Sequence, residues 1–219
     1  MTEMYEFLTG PGVWISFFIF IGGLIVRTVY LFGVSQERDR VFYNHADWKW
    51  GGRSIFHWLL PLGSVSLREQ PVFGAAFFVF HVCLFAVPLF LLAHNTLLHE
   101  AFGVALPSLP DSVSDILTVV FLVAGLILLA RRLVRPEVRI LTTAWDYFLL
   151  VFTCLPFVTG FLAFHQIGPY QSVLVAHIAC AEALLMLIPF TKLAHAVLFF
   201  FSRAFIGFEM GTRRGARTW

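Results

Sequence analysis

Apolar residues in this chain come in long unbroken blocks with short polar stretches between them. Five blocks approach the roughly 20 residues a helix needs to cross a bilayer core: about 13–32, 72–98, 113–130, 147–164 and 173–201. Runs such as FFIFIGGLIV lack the period-two alternation that transmembrane barrel strands carry. The pattern predicts an all-α polytopic membrane protein, a five-helix transmembrane bundle forming one domain over residues 1–219, with a cytoplasmic loop at 35–70.

The polar residues orient this bundle. All 15 Lys and Arg lie toward or beyond the block ends on one side: from Arg27 near the end of the first block to Arg68, between the third and fourth, or from Lys192 in the last part of the fifth onward. The opposite segments, 1–12, 99–112 and 165–172, hold no Lys or Arg but carry Glu3, Glu6, Glu100 and Asp111. By the positive-inside rule the amino terminus lies outside and the carboxyl terminus in the cytoplasm. The start, MTEMYEFLTG, is acidic where a cleavable signal would be basic, so the first block is expected to be a retained helix.

Composition agrees, with 59% hydrophobic and 13% charged residues against about 45–50% and about 25% in soluble domains. A net charge of +2 is too small for nucleic-acid binding. Cys83, Cys154 and Cys180 fall inside apolar blocks at no metal-binding or disulfide spacing and read as packing residues. In the 35–70 loop, Trp48, Trp50, Phe56 and Trp58 beside Arg38, Arg40, Lys49 and Arg53 suit a segment at the headgroup boundary, or equally a docking loop for a partner subunit.

Candidate chemistry rests on histidine. Of eight His, four lie in the second and fifth blocks: His81, His94, His177 and His195. An imidazole inside lipid is costly and generally faces the bundle interior with a task there. The second block runs outward and the fifth inward, so His94 matches His177 near the outer face and His81 matches His195 toward the cytoplasm. At 1.5 Å per residue the two His are roughly 20 Å apart along the second block and roughly 27 Å along the fifth. Each cross-helix pair can offer two axial nitrogens to a haem iron. Eighteen residues is five helical turns, so His177 and His195 are expected on one face. Thirteen residues leaves His81 and His94 on different sides of a straight helix, and Pro88 between them is expected to kink it. His99 shares a face with His81 but lies past the hydrocarbon core. The pattern alone serves a proton relay or a metal path as well as a haem pair.

Two segments carry a resemblance. RRLVRPEVRILTTAWDYFLL, from Arg131 to Leu150, and HIACAEALLMLIPFTKLAHAV, from His177 to Val197, resemble the γ subunit of respiratory nitrate reductase, a five-span di-haem cytochrome b with an outside amino terminus. IPFTKLAH corresponds to the end of that family's last span, and FHVCLFAVPLFLLAH to its second-span ligand motif. The wider spacing of the second-span His, Pro88 between them and the longer aromatic loop make the chain more similar to the cytochrome b subunits of Hmc and Tmc transmembrane redox complexes of sulfate-reducing bacteria. The resemblance implies two b haems ligated by His81, His94, His177 and His195 in a prokaryotic cytoplasmic membrane. It also implies a cytoplasmic heterodisulfide-reductase-like iron–sulfur subunit and a periplasmic multihaem cytochrome c as partners.

Haem propionates need cationic or hydrogen-bonding partners, and Arg27 and Lys192, the deepest cations, are the preferred ones. Glu182 lies between the fifth-block His, where an ionised carboxylate is expensive; proton uptake at a menaquinone site is one use for it. His99, Glu100 and His165 stand at outer ends where a quinone headgroup could meet the outer haem. Asp146 is expected to cap the fourth span or to pair with Arg139. A small His-dependent proton or metal transporter is the competing class, and a structural anchor for an iron–sulfur subunit a third.

Overall fold

The computed structural model describes residues 2–217, without the side chain of Phe42. Among these residues the chain is helical throughout its regular structure: α1 (Thr2–Phe7), α2 (Val13–Arg38), α3 (Arg40–Asn44), α4 (Trp48–Leu59), α5 (Val65–Glu69), α6 (Pro71–Phe90), α7 (Leu92–Phe102), α8 (Asp111–Val134), α9 (Pro136–Arg139), α10 (Ala144–Phe164), α11 (Tyr170–Leu187) and α12 (His195–Gly207). Six helical stretches are long and apolar enough to cross a membrane: Thr2–Arg38, Pro71–Phe90, Asp111–Val134, Ala144–Phe164, Tyr170–Leu187 and Lys192–Arg213. The sequence pattern predicts five. The sixth arises because the fifth apolar block is not one helix but two, interrupted between Leu187 and Lys192.

The chain gathers into two compact units, Val72–His177 and the residues up to Pro71 with those from Ile178 onward. In the Val72–His177 unit the core is aromatic. Phe121, fully buried, stacks on Phe80 at 4.5 Å and on Phe157 at 3.9 Å, joining α8 to α6 and α10. Ala76, Cys83, Ala124 and Leu128 fill the space around this stack. Gly125 lets α8 approach α10, since a Cβ there would stand 3.0 Å from Cys154 Sγ. Cys83, Cys154 and Cys180 are free.

Helix ends follow local chemistry. Thr143 and Asp146 close a capping box on α10, the Thr143 N–H donating to Asp146 Oδ2 at 2.9 Å, so Asp146 takes the capping role expected of it. α7 ends on Gly103 in the left-handed region at φ 70°. Asn95, buried, bonds Ser108 Oγ and the Leu106 N–H, which fixes the loop that leads to α8.

In the other unit the break after α11 is held from α2. Pro189 has no N–H to continue the helical ladder, and the chain turns at Ile188–Thr191. Arg27 then donates through one terminal nitrogen to the carbonyls of Pro189 and Thr191, at 2.5 and 2.8 Å. Gly23 permits this approach, because a Cβ there would lie 2.7 Å from Pro189 Cβ. α12 next runs beside α2, with Val197 and Phe201 bordering a cleft against Ile21–Val29. Its second half packs along α4, which buries Gly51 and Ser54 and leaves Trp48, Lys49, Arg53 and Phe56 outward.

Glycine sets that last contact. A Cβ on Gly207 would stand 2.5 Å from the Trp50 carbonyl oxygen and 2.9 Å from Gly51 Cα, both backbone atoms that side-chain rotation cannot move. Gly207→Leu is therefore expected to push α12 off α4 and cost about 1–3 kcal/mol. The loss should register as a lower Tm in detergent together with protease cleavage within α4. Gly52→Ala, where a Cβ meets nothing within 4 Å, should leave both unchanged.

Candidate functional site

His94 and His177 come together inside the Val72–His177 unit. Their ring centroids are 6.1 Å apart and their planes differ by 16°. Neither helix carrying them is the simple rod that spacing suggests. Pro88 lies within α6, yet the chain leaves the helix three residues later, at Leu91, with ψ 130°. The short α7 that follows carries His94. The Pro88 carbonyl, whose helical partner would be the N–H of residue 92, takes His94 Nδ1 at 2.9 Å. His94 thus reaches its position through a helix break rather than a kinked continuous span.

His177 is positioned from α10. Its Nδ1 bonds the carbonyl of Pro156 at 2.9 Å, with Thr159 Oγ1 at 3.4 Å. Gly160 clears the space, since a Cβ there would be 2.9 Å from His177 Cε1. A carbonyl only accepts, so in both neutral rings Nδ1 carries the hydrogen and Nε2 keeps its lone pair. That is the tautomer a metal-bound imidazole has when its other nitrogen is tethered. With metal–nitrogen bonds of about 2 Å, and each nitrogen about 1 Å from its ring centre, two axial imidazoles on one metal have ring centres about 6 Å apart. The observed centroid separation of 6.1 Å is of this size.

His81 and His195 share the first of these features. His81 Nδ1 bonds the Phe77 carbonyl at 2.8 Å and His195 Nδ1 the Lys192 carbonyl at 2.9 Å. His45 and His57, outside the apolar blocks, make the same local bond to Val41 and Arg53. The tether alone therefore does not distinguish the four; the near-parallel rings of His94 and His177, 6.1 Å apart, do set these two apart. The expectation that His177 and His195 share one face of a continuous helix fails, because α11 ends at Leu187 and His195 opens α12.

The remaining candidates are dispersed. Arg27 is bound to the helix break, and Lys192 is exposed in the turn before α12, its carbonyl holding His195. Glu182 is buried, at 7% exposure, with Oε2 facing Gly12 where a Cβ would lie 2.9 Å away. Gly12 belongs to a π-helical turn, Leu8–Gly12, that contains Pro11. Glu182 Oε1 has no hydrogen-bond partner among the described residues. His99 and Glu100 are exposed, and His165 Nε2 pairs with Asp115 Oδ2 at 3.2 Å, a partner that sequence reasoning missed. It also missed Pro156 and Gly160, since no local pattern announces that a carbonyl or a gap will serve a ring on another helix.

An all-helical chain with six stretches able to cross a bilayer is a transmembrane helical protein. No family model matches it, and no solved structure matches it. It belongs to the family of a protein from the bacterium Nitratidesulfovibrio vulgaris strain Hildenborough, named only "Protein", to which it is 46% identical over 219 residues. The match covers 98% of this chain and 97% of that one.

Proposed function

We propose that this protein is a membrane cytochrome b subunit that conducts electrons across a prokaryotic cytoplasmic membrane through two b haems. One observation carries the reading: His94 and His177, parallel at 6.1 Å, each with Nδ1 tethered to a carbonyl. In this reading His81 and His195 serve the second haem, supported by their matched depth in the sequence and their own tethers. A bound haem supplies a one-electron iron couple. The chain's contribution is to tether Nδ1 of each ring to a carbonyl, which fixes ring orientation and leaves the proton on that nitrogen. Among the described residues no three His, Cys, Asp or Glu converge. Two axial nitrogens per metal suit a macrocycle better than an ion carried by side chains alone, which favours the cytochrome over the transporter.

Five crossings, with the amino terminus outside and the carboxyl terminus cytoplasmic, suit this reading. α4 is too short and too polar to span, and the half of α12 packed along it brings Arg213 and Arg214 to the same side as Lys49 and Arg53. The redox partners we propose are a cytoplasmic heterodisulfide-reductase-like iron–sulfur subunit and a periplasmic multihaem cytochrome c. Menaquinone is a candidate for the end bearing His99, Glu100 and the His165–Asp115 pair. The purified protein is expected to give two haem b per chain by pyridine haemochrome analysis; a colourless folded protein would defeat the proposal.

A further inference from the structure

Where α12 lies on α4, polar donors are buried without acceptors. Arg203 lays its guanidinium flat on the Trp58 indole, its carbon 3.6 Å from the ring centroid. Arg203 Nε and Trp58 Nε1 are both buried with no hydrogen-bond partner among the described residues, and so is Ser54 Oγ, one turn before Trp58 on the same face of α4. Indole and guanidinium nitrogens only donate. Leaving such donors unpaired is costly, and a cluster of them marks the place of an acceptor. Among the described residues none supplies one: Glu209, the acid on the adjoining π-helical turn, is bound by Arg213 at 2.9–3.0 Å and by Arg214 at 2.8–2.9 Å.

Depth and charge identify the acceptor. α4 is amphipathic, with Trp48 and Phe56 exposed beside Lys49 and Arg53, the arrangement of a helix lying at the headgroup layer. The acidic group present at that depth in every membrane is the lipid phosphate. We infer that Ser54, Trp58 and Arg203 form a seat for the phosphodiester of an anionic phospholipid. The oxygens of the phosphate accept from Trp58 Nε1–H and the Arg203 guanidinium, with the Ser54 hydroxyl as third donor, and one acyl chain lies along the apolar side chains of α12. The inference rests on the membrane reading and not on the haem ligands.

The test is lipid retention measured by native mass spectrometry on the full-length protein, released from nanodiscs of phosphatidylcholine with or without phosphatidylglycerol. The wild type is expected to keep phosphatidylglycerol in preference to phosphatidylcholine. Trp58→Phe, which preserves the ring and removes only the donor, should weaken that retention about tenfold, as should Arg203→Lys, which keeps the charge and removes Nε. Lys49→Gln, an exposed charge, should change it little. Equal retention by wild type and both variants would overturn the seat. Displacement of the lipid by millimolar inorganic phosphate would overturn its assignment to a lipid. So would loss of haem absorbance in Trp58→Phe with lipid retention intact, which would give the donors to a haem carboxylate instead.

Discussion

On the cytochrome reading proposed above, replacing His177 with alanine is expected to lower the haem content from two per chain to one while the protein still inserts and folds. His177 and His94 are two nearly parallel rings with centroids 6.1 Å apart, each holding Nδ1 on a carbonyl. In the proposed cytochrome both rings would hold the same haem, so His94→Ala should have the same consequence. Because His177 is tethered to Pro156 across two helices, its removal leaves only a small cavity beside Gly160. Gly160→Val makes the complementary test: it keeps the ligand but drives a methyl into the imidazole, and the same haem should be lost or its absorption band shifted. His165→Ala, at the surface pair with Asp115, should retain both haems. Pyridine haemochrome counts and reduced-minus-oxidised spectra of the four variants decide the matter. Two haems retained in both His94→Ala and His177→Ala would show that the pair ligates nothing.

The second large effect is expected at Arg27. Its guanidinium satisfies the Pro189 and Thr191 carbonyls where the fifth apolar block breaks, inside the membrane-spanning part of α2. Arg27→Met keeps the length and apolar stem but leaves two carbonyls without a donor in surroundings that offer little water. Hydrogen bonds to a charged group contribute about 1.5–3 kcal/mol each, so a loss of about 3 kcal/mol is expected. At about 2–4 °C per kcal/mol for a chain of this size, Tm should fall by roughly 6–12 °C. Lysine also carries several donors on one nitrogen, but its stem is one atom shorter than the reach to the Arg27 terminal nitrogen that serves both carbonyls, so Arg27→Lys should recover only part of the loss. A destabilised variant that keeps both haems assigns Arg27 to the helix break. One that loses a haem at unchanged Tm would return it to the propionate role its depth in the sequence suggests.

How much of this could be read along the chain differs by feature. The apolar blocks, the acidic start and the one-sided distribution of Lys and Arg are local in sequence, and the helices fall where the blocks lie. Asp146 three residues after Thr143 is a capping box whose two partners are four positions long, and it formed as expected. The proximity of His94 and His177 was legible as well, from depth alone. Its route was not: a kink at Pro88 was expected, and the chain instead completes a further turn and leaves the helix at Leu91. A proline weakens a helix over a whole turn, and which residue then departs depends on what receives the freed carbonyls. Here those receivers are the His94 ring and the Leu109 N–H.

Composition and block length by themselves determine that this chain is helical and crosses a membrane, because in lipid every backbone polar group must be paired within its own segment. That four histidines fall within the second and fifth apolar blocks is likewise a property of the sequence. Only the tertiary structure decides that the fifth block breaks, that Arg27 and Gly23 receive the break, that α12 lies on α4, and that Pro156 and Gly160 orient His177. Each of these is a contact between residues far apart in the chain, where an orphaned carbonyl or a missing Cβ acquires meaning only when another helix arrives beside it.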